Sequence, residues 1–276
     1  LPDVPAIDRA FDYLVPDAVG DQVRVGTMVR VTLSGRRVGG WVLGEEPEPP
    51  QDLELSELNK VVGQGPDAEM IELCRWVGWR WAGRLATVLR LASPDRVVRE
   101  LPPLRPRPAR GGGDPTAVEL LGAGSGARVL EVPPTADPLG PALAAAATGQ
   151  ALVVVPSVVT ADRLVADLRR EGAAVARWPR DWAAAAGGAT VVGGRSAVFA
   201  PAPALRAVVV LDEHDQALQS ESSPTWHARE VAIERAARAG VPCLLVSPAP
   251  SLEARGVALP SPRAVDRPPR SDERAG

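Results

Sequence analysis

Short apolar runs, broken by glycine, proline and aspartate, fill the first hundred residues and predict strands before helices. The runs at 11–15 and 27–33 have the length of strands and the turn residues that flank them. The segments 28–33 and 38–43 predict a β-hairpin, in which Gly35 supplies the positive φ that a tight turn needs.

A helix with one apolar stripe is predicted after Asp67, because apolar residues then recur at spacings of three and four. The stripe consists of Met70, Leu73, Cys74, Val77 and Trp81. The stretch 101–126 is rich in proline and glycine instead, and it predicts a linker with room for one short helix.

From residue 127 onward, apolar runs alternate with helical ones, which is what a parallel sheet covered on both faces requires. The sequence therefore predicts an α/β protein with a β-rich domain plus helices at 1–100, a linker at 101–126 and a parallel α/β domain at 127–252. Residues 253–276 are predicted to be a disordered tail or the start of a further part of a longer protein. The predicted strands of the second domain lie at 129–132, 151–155, 174–178, 189–192, 207–211 and 242–246.

Charge and composition exclude several classes of protein. The 31 Lys+Arg against 34 Asp+Glu give a net charge of −3, which excludes a bulk polycation, so any DNA contact must be local.

The two cysteines, Cys74 and Cys243, and two histidines are too few for a disulfide framework or a Cys/His zinc site. The apolar runs are far shorter than the roughly 20 residues of a membrane-spanning helix. We expect a cytoplasmic protein without membrane contact.

Two acids, Asp212 and Glu213, directly follow the apolar run 208–211. In open α/β sheets ligands bind beyond the carboxyl ends of the strands, and acids placed there hold Mg²⁺ for phosphoryl transfer in nucleotide-driven motors. The alternative is that these acids are relics that only cap the next helix.

A missing lysine favours the relic interpretation. ATP sites of this kind need a glycine-rich loop that ends in Gly-Lys-Ser/Thr, where backbone N–H groups and the lysine hold the phosphates. Lys60 is the only lysine and lies in the other domain, and the first strand of the second domain is followed by Pro133-Pro134-Thr135-Ala136-Asp137-Pro138. These residues argue against ATP and Mg²⁺ as cofactors.

Two segments of the second domain are similar to motifs of a known family: segment 192–201 to GTRSALFAP, and segment 212–215 to DEEHD with one acid missing. With these segments the second domain resembles the PriA-type primosomal proteins, a family of replication-restart helicases. The resemblance implies a RecA-like helicase lobe 1 that is degenerate, as in a divergent, actinobacterial-like form of the family without a phosphate-binding loop. The other segments that resemble the family, in the same order, are 151–156 with Thr160 (VLVPEI-LT), 226–230 (YHARD) and 247–253 (SATPSLE).

The first domain resembles the same family at 11–16 (FDYLVP), 31–35 and 59–62. The resemblance implies a DNA-binding module that holds the 3′ end of a nascent strand at a stalled fork. It also implies that any zinc site or second motor lobe would lie beyond Gly276.

The residue types at these positions suit that role. Phe11 and Tyr13 offer ring faces for a terminal base, and Asp12 can accept a hydrogen bond from a 3′-hydroxyl while it repels a 3′-phosphate. Lys60 would hold a backbone phosphate, and the turn at Gly35 would allow close approach. The alternative for Phe11 and Tyr13 is burial in the core.

The sequence thus predicts a replication restart protein that recognises DNA forks and nascent 3′ ends without hydrolysing ATP. Its expected partners are forks, single-stranded 3′ ends, single-strand binding protein and other primosome components. One alternative is an active ATP-dependent 3′–5′ helicase of the primosome, and another is a protein-interaction scaffold that does not bind DNA. No metal site is predicted in this chain.

Overall fold

The computed structural model describes residues 1–4, 6–45 and 54–259, which form a small antiparallel sheet with helices and a larger parallel sheet with helices. The small sheet has three strands, and Met28–Leu33 lies between Arg36–Trp41 and Lys60–Gly63. The predicted α/β class with a β-rich first domain is confirmed. The elements of this first domain are a 3-10 helix at Asp17–Gln22, β1 at Met28–Leu33, β2 at Arg36–Trp41, β3 at Lys60–Gly63, α1 at Ala68–Arg80 and α2 at Leu85–Ala92.

The predicted hairpin is present, but its second strand begins two residues earlier than expected. Leu33 pairs directly with Arg36, so the connection is only Ser34-Gly35, with φ values of 48° and 76°. Two positive φ angles in a two-residue loop are the geometry that matches the twist of the flanking strands. The sequence pattern alone did not reveal that the arginines after Gly35 already belong to the strand.

One face of the small sheet buries a compact apolar cluster. Val29 and Val31 of β1 alternate inward and are almost completely buried, and Tyr13 and Leu58 pack with them. On the opposite face, the end at Met28 and Trp41 is covered, because these two side chains pack with the helices. The Trp41 ring N–H donates to Ser93 Oγ at 2.9 Å.

Helix α1 begins at the predicted cap, since Asp67 accepts a hydrogen bond from the Met70 N–H at 2.8 Å. Its predicted apolar stripe is largely buried, with Met70, Leu73, Cys74 and Val77 in the core. Helix α2 starts after a short turn, and the Asp8 carboxylate accepts from the Leu85 N–H at 3.1 Å.

The segment that the sequence predicts as a linker follows the surface of the second domain closely. The N–H of Arg105 donates to Gly187 O at 2.9 Å, and the N–H of Ala109 donates to Ala146 O at 3.0 Å. The segment also contains helix α3, Pro115–Gly122, which Asp114 caps through the Ala117 N–H.

The second domain is built on a six-stranded, all-parallel sheet in the order β4-β9-β8-β5-β7-β6. The strands Gln150–Val154 and Thr190–Gly193 are buried along their whole length, as expected for a sheet with helices on both faces. Its elements are β4 at Gly126–Glu131, α4 at Leu139–Ala147, β5 at Gln150–Val154, α5 at Val158–Arg170, β6 at Val175–Arg177, α6 at Trp182–Ala186, β7 at Thr190–Gly193, β8 at Leu205–Leu211, α7 at Ala228–Ala239, β9 at Pro242–Ser247 and α8 at Leu252–Val257.

Residues 253–259, where the sequence predicts the start of a tail or of a further part, contact the second domain. Helix α8 begins at the cap Ser251, and the N–H of Leu259 donates to Ala127 O at 2.8 Å. Residues 260–276 of the predicted tail lie outside the described part of the chain.

The two domains share one apolar core, which runs from α1 and α2 into the parallel-sheet domain. The Trp182 ring N–H donates to Ala92 O at 2.9 Å across the junction, and Arg80 pairs with Glu230 at 3.3 Å. The backbone at Gly83 lies so close to Pro224 that a Cβ there would be 2.5 Å from the proline ring. No helix within the described ranges is long and apolar enough to cross a membrane.

Candidate functional site

The segment 11–15 is held beside the small sheet by backbone hydrogen bonds. The N–H of Leu14 donates to Ser56 O at 3.0 Å, and the N–H of Leu58 donates to Leu14 O at 2.9 Å. Since residues 56–58 lead directly into β3, the segment lies near the end of β3 that begins with Lys60.

Tyr13 and Phe11 have different surroundings. The Tyr13 ring packs against the apolar cluster of the small sheet, and its hydroxyl donates to Thr32 O at 3.1 Å. Partial burial raises the pKa of Tyr13. Phe11 is half-buried, lies outside the described core clusters, and has the Arg9 guanidinium 4.6 Å from its ring centroid. Burial in the core was the alternative for both rings, and the Tyr13 ring is partly buried there.

Asp12 and Lys60 are both exposed. Asp12 makes no hydrogen bond or ion pair with any residue that the structure describes. Thr32 and Asn59, which precedes Lys60, are joined by a side-chain hydrogen bond of 2.9 Å. The turn at Gly35 follows Thr32 by three residues. The structure thus brings the predicted residues to one end of the small sheet.

Two polar residues of this end, Thr32 and Asn59, are absent from the predicted site. Thr32 connects its parts, because its carbonyl accepts from Tyr13 while its hydroxyl contacts Asn59. The alternation of apolar and polar residues along β1 could have predicted Thr32 as part of this surface, since it places Thr32 on the same face as Arg30. Nothing in the sequence indicated that Tyr13 would reach the Thr32 carbonyl.

The acids after β8 form a second candidate site, and Glu213 there is fully buried. Its carboxylate accepts from Arg229 Nη1 at 2.9 Å, from the Ser251 N–H at 2.7 Å and from Ser251 Oγ at 2.9 Å. These bonds tie β8 to α7 and α8. Of the two acids that could hold a metal ion in a motor lobe, Glu213 is therefore bonded within the protein.

The expectation that Asp212 and Glu213 cap the next helix is wrong in detail. Asp215 is the cap, because its carboxylate accepts from the Ala217 N–H at 2.8 Å at the start of the 3-10 helix Gln216–Leu218. Asp212 is exposed and has a left-handed backbone, with a φ of 48°. The cause is that the chain turns sharply at Asp212, which sends Glu213 inward to Arg229.

The loop between β4 and α4 stands where a phosphate-binding loop would lie. The Asp137 carboxylate accepts from the Leu139 N–H at 3.0 Å and pairs with Arg163 at 3.2 Å. Pro141, in the first turn of α4, has no N–H to offer. A carboxylate and a proline thus replace the donors that a phosphate needs. No group of three or more metal-ligating side chains occurs in the described residues.

Comparison with known proteins identifies the first domain. A family model described as the 3′ DNA-binding domain (3′BD) of PriA matches residues 1–94. Residues 1–94 are therefore similar to the 3′ DNA-binding domain of PriA. The small sheet, α1 and α2 are the described elements of this PriA domain.

Similarity to PriA proteins extends over most of the chain. A probable replication restart protein PriA of Mycobacterium tuberculosis is 33% identical over 97% of this chain and 47% of the relative. The Mycobacterium leprae protein of the same description is 35% identical over 88% and 43%. The replication restart protein PriA of Treponema pallidum is 27% identical over 91% and 44%. The chain spans about half the length of these curated relatives, and the predicted relationship to PriA is confirmed.

Proposed function

We propose that this chain acts in replication restart by binding the 3′-hydroxyl end of a DNA strand at a fork, without hydrolysing ATP. The observation that carries the proposal is Asp12, next to Phe11, which is exposed and has no partner among the described residues, in the part of the chain that matches the PriA 3′ DNA-binding domain. The family match supports DNA as the ligand, and the exposed side chains support an end-specific contact.

Asp12 is the group that would read the strand end. Its carboxylate accepts a hydrogen bond from a 3′-hydroxyl, and charge-assisted bonds of this kind are strong. A 3′-phosphate in the same position is repelled by the like charge. The adjacent Phe11 ring offers a face to the terminal base, a contact worth about 1–3 kcal/mol per base, while Tyr13 supports the segment through its bond to Thr32.

Lys60 and the turn at Gly35 would hold the sugar–phosphate backbone. Lys60 is an exposed cation at the start of β3, suited to one phosphate. At Gly35 no atom lies within 4 Å of a hypothetical Cβ, so the space above the turn is open to a ligand. A side chain there would occupy that space and strain a backbone with positive φ.

Three features of the second domain support the absence of ATP hydrolysis. Glu213 is held by Arg229 and Ser251, Asp137 fills the start of α4, and no lysine is present in this domain. The domain then serves as a scaffold for the DNA-binding part. Fork preference and contacts with single-strand binding protein or other primosome components belong to the same proposal.

A comparison of two strand ends tests the end contact. A labelled single strand that ends in a 3′-hydroxyl, and the same strand with a 3′-phosphate, are titrated with the chain at one stated salt concentration, and anisotropy gives the two Kd values. We expect tighter binding of the hydroxyl end, and loss of about 1.5–3 kcal/mol of that preference in Asp12→Asn, as for a hydrogen bond to a charged group.

Asp17→Asn is the matched control, because Asp17 is an exposed acid of the same domain. Its end preference should equal that of the unaltered chain. Equal affinity of the unaltered chain for both ends would contradict the proposal, and no DNA binding at all would favour the scaffold alternative.

The second prediction concerns ATP. We expect no ATP hydrolysis above the buffer blank, with or without forked DNA, because the donors and the carboxylate that phosphoryl transfer requires are missing or occupied. A DNA-stimulated rate that disappears in Glu213→Gln would establish the active-helicase alternative instead.

A further inference from the structure

The open face of the small sheet has two unlike ends. At one end, Met28 and Trp41 lie opposite each other and pack with the helices. At the other end, towards the turn at Gly35, the face carries polar and charged side chains that no helix covers. Residues at alternate positions of a strand share a face, so Arg30 and Thr32 of β1 belong to this uncovered end.

The strand register assembles cations there from all three strands. Arg30 lies directly opposite Lys60 of β3 and Gly39 of β2, and Thr32 lies opposite Arg37. Directly opposite residues of antiparallel strands point to the same face. We call Arg30, Arg37 and Lys60 the basic face.

The cations of the basic face are free to meet an external anion. All three are exposed, and none forms an ion pair with the residues that the structure describes. The nearest acid across β2 is Asp3, whose Cβ faces Gly39 and whose carboxylate is already paired with Arg90 at 2.5 Å. Many arginines of the second domain differ in this respect, since Arg163, Arg170, Arg177 and Arg229 are all paired with acids.

The basic face adjoins the proposed strand-end site through Thr32. The carbonyl of Thr32 accepts from Tyr13 of that site, and its side chain, on the basic face, contacts Asn59. The proposed strand-end site consists of Phe11, Asp12, Tyr13 and Lys60. Its Tyr13 ring packs on the apolar face of the sheet, whereas Lys60 and Arg30 lie on the opposite face, so a strand that passes the end of the sheet at Thr32 meets the basic face.

We propose that the DNA strand leading to the bound 3′ end runs across the basic face, with Arg30 and Arg37 holding phosphates upstream of the one at Lys60. This inference rests on the proposed function and adds the path of the strand to it. The contacts are to phosphates alone, so they give affinity without sequence preference.

Strand length separates the basic face from the end site. A 3′-hydroxyl dinucleotide reaches only the end site, whereas a longer single strand also crosses the basic face. Binding of both is measured by anisotropy over a salt series for the unaltered chain, for Arg30→Gln/Arg37→Gln, and for Arg206→Gln. Arg206, an exposed arginine at the start of β8, is the matched control for loss of positive charge.

For the double variant we expect weaker binding of the longer strand and a smaller slope of log Kd against log salt, by about 0.7 for each lost phosphate contact. Dinucleotide affinity, and the preference for a hydroxyl over a phosphate end, should stay unchanged. Arg206→Gln should match the unaltered chain in every measurement.

An unchanged salt slope in the double variant would overturn the basic face and leave the end site standing. An equal loss for the dinucleotide and the longer strand would also overturn it, because the arginines would then act on the end site or on the fold. The unaltered chain could bind both strand ends equally while the double variant still has a smaller slope of log Kd against log salt. That result would contradict the proposed strand-end site and support the basic face. If neither strand binds, both proposals fail.

Discussion

The two domains differ in how they expose an acidic side chain of a PriA-like motif. Asp12 is exposed and unpaired within the described chain, whereas Glu213 is buried and bonded to Arg229 and Ser251. Both are acids in motifs that resemble PriA proteins, yet only one is available to a ligand. Removing one partner of a buried ion pair commonly costs about 3–5 kcal/mol, so Glu213 now serves the stability of the fold.

His227, beside this buried pair, predicts a pH dependence of stability. It caps α7 by accepting from the Arg229 N–H at 3.1 Å, and burial, followed by the nearby Arg229 guanidinium, lowers its pKa from 6.5 to about 4. The folded state therefore favours the neutral ring. This contribution is fully present above the ordinary pKa of 6.5 and is lost as the pH falls through about 4.

Urea denaturation between pH 7.5 and 4 measures the effect. We expect the free energy of unfolding to fall less steeply in His227→Asn than in the unaltered chain, because asparagine keeps a capping oxygen and does not titrate. Comparing the two chains cancels the titration of carboxylates that they share. Parallel curves for both chains would refute the role of His227.

At the scale of elements, periodicity predicted the cores of helices and strands better than their ends. The apolar stripe of α1 and the buried strand β8 appear where the pattern placed them. The start of β2 was wrong by two residues, because Arg36 and Arg37 face solvent on an open sheet and carry no hydrophobic signal. The helix α8 was missed because only Ala254 of its six residues is buried.

At the scale of the whole molecule, the junction between the domains is a packed core. Helices α1 and α2 contribute to the same apolar cluster as the parallel-sheet domain, and the turn between them abuts Pro224. We therefore expect the described part of the chain to unfold in one cooperative transition. Docking of this kind also gives the proposed DNA-end site a fixed position relative to the scaffold.

Gly83→Ala tests this junction. The added Cβ would meet the Pro224 ring at 2.5 Å, and overpacking of this kind costs about 1–3 kcal/mol, measured as the free energy of unfolding in urea. Gly112→Ala is the control, because no atom lies within 4 Å of its Cβ position, and it should stay within about 0.5 kcal/mol of the unaltered chain. A Gly83→Ala chain as stable as the control would show that the domains do not pack as described.

The sequence by itself determined the α/β class and the relationship to PriA proteins, because periodicity and motif order are local properties of the chain, and it supplied the residues of the proposed strand-end site. It also showed, through a single lysine at position 60, that an ordinary ATP loop is missing. Only the tertiary structure decided which of the candidate side chains are available. Burial of Glu213, the bond from Tyr13 to Thr32, and the gathering of Arg30, Arg37 and Lys60 on one face all depend on contacts between distant segments. Strand register and domain packing set these contacts, and no local pattern encodes them.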